Sequence, residues 1–121
     1  MNTKMAELVM RCFHARTAAH VLHLGSHSYS QHKALETFYE DIIDLVDTLA
    51  EVTQGCELEL LKLTGPYKPY SDAETLLLEL GDWISDNRHE CCDAEDTYLQ
   101  NIIDEIMALI RQTQYKLRFL K

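Results

Sequence analysis

Five side chains suited to metal ligation recur at regular spacing in the first half of the sequence: His20, His32, Glu36, Asp47 and Glu51. Imidazole with several carboxylates is a hard nitrogen and oxygen donor set, matched to iron, manganese or zinc rather than to copper(I). At about 100° per residue, His32, Glu36, Asp47 and Glu51 share one flank of a helix within an arc of roughly 100°. The spacing divides them into two pairs, each pair one turn apart. Eleven residues separate Glu36 from Asp47, and a rise of 1.5 Å per residue sets the pairs about 16 Å from each other. One ion cannot touch both pairs within one chain. A second copy of the helix, running antiparallel across a two-fold axis, would set His32 and Glu36 of one chain opposite Asp47 and Glu51 of the other. The geometry therefore asks for a symmetric dimer with two equivalent sites, which His20 on the preceding helix could complete. His14, His23 and His27 fall outside this spacing.

The order His20, Gly25, His32, Glu36, Asp47, Glu51 resembles the ferroxidase segment of the Dps family, small ferritin-like proteins that oxidise and store iron. The resemblance implies that His20, His32 and Glu36 serve from one subunit and Asp47 and Glu51 from its neighbour. It also implies iron as the metal, where the donor set alone leaves zinc or manganese in the same site as alternatives, and a dodecameric shell built on the dimer. Two positions depart from the family pattern: Glu36 stands where Asp is usual, and Val21 where Trp usually follows the first histidine. The likeness extends more weakly into the last helix, DAEDTYLQNIIDEIMALIRQTQYKLRFL, and is faint from Glu57 to Cys92.

The elements that position these residues read as helices. The first is expected from Thr3 to Leu24, with Met5, Leu8, Val9, Cys12, Phe13, Ala19 and His20 on its apolar face. Gly25 and the serines after it make a tight turn, with Ser28 or Ser30 capping a second helix over 30–54 that Gly55 ends. Leu35, Tyr39, Ile42, Val46 and Leu49 form that helix's packed stripe. ELELLKL is taken as a short crossover helix, after which Gly65, Pro66 and Pro69 break the chain. SDAE, starting at Ser71, reads as a capping box opening a third helix to Arg88 that buries Leu76, Leu77, Leu80, Trp83 and Ile84. Asp93 is expected to cap a fourth, whose stripe runs from Leu99 through Ile106 to Leu117. The sum is an all-α, ferritin-like antiparallel four-helix bundle, with a long crossover between helices 2 and 3, forming one domain over 1–121.

Composition narrows the function classes. A formal charge of −9 opposes binding to DNA or to anionic membrane surfaces and favours cations. MNTKMAELVMRCF lacks the continuous apolar core of a signal peptide, and no run approaches a membrane span. Cys12, Cys56, Cys91 and Cys92 show no disulfide framework, so a cytoplasmic setting is expected. Adjacent Cys91 and Cys92 near His89 are poorly placed to hold one soft ion, and a turn with incidental thiols is expected there. Two other function classes are open. Glu40, Asp41 and Asp44, followed by Glu79 and Asp82, resemble the acidic motifs of MazG-like nucleotide pyrophosphohydrolases, which implies magnesium held against a triphosphate. The other class is a non-catalytic helical interaction protein, to which Val21 and the short chain point.

Overall fold

Three of the four helices begin where a side chain satisfies an orphan backbone N–H. Asn2 Oδ1 accepts from the Met5 amide at 3.0 Å, Ser28 Oγ from the Gln31 amide at 3.2 Å and Asp72 Oδ1 from the Thr75 amide at 2.8 Å. In the computed structural model, which describes residues 2–121, these caps open α1 (Thr3–Leu24), α2 (Tyr29–Glu57) and α3 (Ala73–Cys91); α4 (Thr97–Phe119) follows Asp96. The protein is all-helical, with no strand among the described residues. Among the described residues no helix is long and apolar enough to cross a membrane.

Several boundaries differ from those expected, and one expected helix is absent. Gly55 does not end α2: the helix continues to Glu57 and stops where Leu58 takes the left-handed conformation, φ 55°. A glycine in the last turn costs a helix little, and here solvent surrounds it, since a Cβ at Gly55 would meet nothing within 4 Å. The cap of α3 is Asp72 rather than Ser71, because its carboxylate takes both the amide and, at 2.9 Å, the hydroxyl of Thr75. Asp93 closes a turn by accepting from the Asp96 amide at 3.0 Å, which delays α4 to Thr97. ELELLKL forms no crossover helix: beyond Leu58 the chain stays irregular to Asp72. Extended chain advances about twice as far per residue as a helix, which suits a connection that must travel the length of the bundle.

The helix ends explain that length. Asn2 Nδ2 donates to Glu57 Oε2 at 2.8 Å and to the Cys91 carbonyl at 2.7 Å, so the ends of α2 and α3 meet the start of α1. Cys56 Sγ lies 3.0 Å from the Tyr98 hydroxyl, which brings the start of α4 to the same place. Laterally, α1 and α4 each pack on both α2 and α3, leaving α1 across from α4 and α2 across from α3.

The core follows the stripes read from the sequence, including Met5, Leu8, Leu35, Ile42, Leu77, Ile84, Ile103 and Ile106, all fully or almost fully buried. On α2, Phe38 is buried and Tyr39 only half-buried; on α1, Phe13 and His20 are half-buried while Ala15, Ala18 and His23 are buried. The true face of α1 is rotated slightly from the expected one, and that rotation matters for the site.

Candidate metal centre

The turn 25–28 folds α2 back on α1 and sets His23, in the last turn of α1, against His32, in the first turn of α2. The two rings stack with centroids 3.6 Å apart and planes 19° from parallel. Each ring is also tied to the other's backbone: His23 Nδ1 lies 2.6 Å from the His32 carbonyl, and His32 Nδ1 lies 2.9 Å from the His23 carbonyl. A carbonyl can only accept, so both Nδ1 atoms carry the proton. In the neutral rings both Nε2 atoms are then lone-pair donors, the state in which a histidine binds metal, and a carbonyl partner of this kind commonly orients such ligands.

Glu36, one turn beyond His32 on α2, supplies the charge. Its Oε1 is 4.0 Å from His23 Nε2, and one ligand atom from each of His23, His32 and Glu36 lies within 4.8 Å of the others. Bonds of about 2.0–2.2 Å to a shared ion would draw these atoms to within about 4.4 Å, a small inward movement for a half-exposed glutamate. Its other oxygen, Oε2, is held at 2.9 Å by Lys33 Nζ. The Lys33 ammonium keeps the Glu36 carboxyl below the usual carboxylate range, and so keeps it ionised. The donor set fits a divalent transition metal: two oriented imidazole nitrogens, one carboxylate, and further coordination positions open to other ligands.

The structure brings two of the five expected ligands, His32 and Glu36, into this cluster, and adds His23. The other three lie elsewhere. His20 stacks on Tyr39, centroids 4.2 Å apart and planes 16° from parallel, with its ring 6.0 Å from that of His23. Asp47 and Glu51 are exposed further along α2, on the same flank as His32 and Glu36, and neither forms an ion pair among the described residues. His23 had a signal in the sequence. It extends the buried series Cys12, Ala15, Ala19 by one more turn, whereas His20 falls to the side of that series.

The other chemical groups are dispersed. Asp41 and Asp44 face Glu105 of α4 across an open groove, while Glu79 on α3 is bonded at 3.0 Å by Lys68 from the crossover. Since α2 and α3 lie across the bundle from each other, these two acidic groups do not form one site. All four cysteines are free. Burial pushes Cys12 and Cys91 up to about 12 and Cys92 up to about 11, so these thiols stay protonated and are weak nucleophiles and ligands.

No curated protein and no solved structure matches the chain. A family model described as "Family of unknown function (DUF5856)" matches residues 23–117, a span that starts at His23 and takes in His32, Glu36, α2, α3 and all but the last two residues of α4. The match covers most of the sequence, and the chain belongs to this family of unknown function.

Proposed function

We propose that the protein binds a divalent transition metal, with iron(II) as the substrate, and acts as a Dps-like iron-binding and iron-oxidising protein on a ferritin-like bundle. One observation carries the proposal: His23 and His32 each commit Nδ1 to the other's carbonyl, while His23 Nε2 lies 4.0 Å from Glu36 Oε1 and the three side chains each bring a ligand atom within 4.8 Å of the others. A pair of histidines packed only for burial has no need of a carboxylate at their open edge. Carboxylate charge stabilises the higher oxidation state of iron, so the site favours loss of an electron from iron(II) to dioxygen or peroxide.

The ferritin-like arrangement is the reading of the packing that best accounts for the helix ends. With the ends of α2 and α3 gathered at the starts of α1 and α4, neighbouring helices run antiparallel and the crossover runs lengthwise. We infer further that a second copy completes the coordination. Asp47 and Glu51, one and two turns past the midpoint of α2 and without ion-pair partners among the described residues, are available to the site of a two-fold mate. Val21, Leu24 and Tyr29 are exposed around the His23–His32 turn, an apolar surface that a second copy would cover. The family resemblance extends this to a dodecamer.

The test is metal content and mass under non-denaturing conditions after loading with iron(II) or zinc, for the parent and for His32→Ala, Glu36→Gln and Glu51→Ala. We expect a metal-bearing dimer, and at least roughly tenfold weaker binding in each variant, the size of effect typical of losing a ligand or its supporting group. Unchanged binding in His32→Ala and Glu36→Gln would remove the metal proposal. Loss in those two but not in Glu51→Ala would remove only the shared site.

A further inference from the structure

A second feature lies on the other half of α1 and does not depend on the metal centre. The crossover between α2 and α3 does not hang free. Its Leu61 amide donates to Gln54 Oε1 at 2.9 Å, Lys68 bonds Glu79, and Tyr67 meets His14 edge-on with centroids 6.0 Å apart. Gly65 makes the descent onto α1: at φ +142° it adopts a backbone that side chains disfavour, and a Cβ there would come within 3.9 Å of the His14 ring. Irregular connections of this length in small folds are commonly binding loops.

Between this strap, α1 and α3 is a cavity of about 540 Å³, within the range of small-molecule sites. Met10, Leu76 and Leu80 make its floor apolar. Its charge is opposite to that of the molecule. The chain has 20 Asp and Glu against 11 Lys and Arg, yet the cavity is lined by Arg11, Lys62 and Lys68 and by one carboxylate, Glu7, which Arg11 neutralises at 2.9 Å. Among the described residues the Lys62 ammonium has no ion-pair partner, so it is free to meet an incoming anion. With Arg11 held by Glu7 and Lys68 by Glu79, the unpaired charge beside the apolar floor is that of Lys62, which suits an anion with an apolar body.

We propose that this cavity binds a small amphipathic carboxylate, its tail on Met10, Leu76 and Leu80 and its carboxylate at Lys62 and Arg11. Decanoate is the probe. Arg11 lies over the ring of Trp83, 4.7 Å from its centroid, and Trp83 is the single tryptophan, so a ligand that engages Arg11 shifts its emission. Titration of the full chain, below the concentration at which decanoate forms micelles, is followed by calorimetry and by Trp83 fluorescence. We expect one saturable site, with binding weakened about five- to tenfold by Lys62→Glu and by replacing decanoate with decanol, the scale of one exposed charge interaction reversed or lost. Leu80→Gln, which puts a polar group on the floor, weakens decanoate and decanol alike. No saturable heat overturns the proposal, as does binding that is equal for decanol and indifferent to Lys62→Glu. Metal content is unchanged in both variants, which separates this test from that of the metal centre.

Discussion

A histidine whose Nδ1 is fixed by a carbonyl has one nitrogen left to offer, and its ring can no longer rotate to offer it elsewhere. His23 and His32 impose this on each other, so the ligand direction is set before any ion arrives and little ordering entropy remains to oppose binding. Glu36 is different, because Lys33 occupies one of its oxygens. That ion pair is exposed and weak, but it competes directly with a metal, and the ammonium also repels a divalent cation nearby. Lys33→Gln is therefore expected to raise metal affinity about three- to tenfold, read by competition against a chromophoric chelator. A fall in affinity would mean that Lys33 positions Glu36 rather than competing for it. At this scale the sequence was half legible. His32 and Glu36 announce themselves by spacing, one turn apart on one helix. His23 does not, since its meeting with His32 depends on how tightly the turn 25–28 folds, and no periodicity reports that.

Helix starts were easier to read than helix ends. For α2 the sequence offers Ser28 or Ser30, because a hydroxyl before an apolar stripe has one obvious use, and the structure takes Ser28; the caps of α3 and α4 lie one and three residues from those expected, among neighbouring serines and aspartates that compete for the same amides. The end of α2 was misplaced for a different reason: the chain leaves the helix through a left-handed leucine, a conformation that no sequence rule assigns to leucine. Leu58 is 89% exposed, so no packing offsets that strain. Leu58→Gly should stabilise the fold by about 0.5–1 kcal/mol, the left-handed penalty less the added flexibility of the unfolded chain, read as a higher urea midpoint at unchanged slope. A lower midpoint would show that the exposed side chain contributes through a contact, for instance with another copy. A helix is expected in the crossover because ELELLKL, whose seven residues fit a helix or an alternating strand, has no partner strand in the sequence. The crossover has no helix because those leucines find no groove: Leu58, Leu60 and Leu63 remain exposed, and only Leu61 reaches the core's edge.

For the molecule as a whole, the all-helical class was legible from four apolar stripes of period 3.6, each of which the core confirms in outline. The pairing of the helices was not, because two diagonals of a bundle are equivalent to any one helix's pattern; contacts between residues far apart in sequence, such as Asn2 with Glu57 and Cys91, decide it. Cys56, the single exposed thiol, sits at the end of α2 remote from His32, with its three counterparts buried. Native protein should thus accept one nitroxide per chain without disturbing the histidines. If two copies pair α2 so that position 32 opposes 51 and 36 opposes 47, the register centres between residues 41 and 42. Two such labels then stand about 40–45 Å apart at 1.5 Å per residue along the paired axes. A surface sulfur thereby becomes a molecular ruler: pulsed dipolar spectroscopy would read that separation directly, and a spacing far from it would mean that the copies meet through some other face.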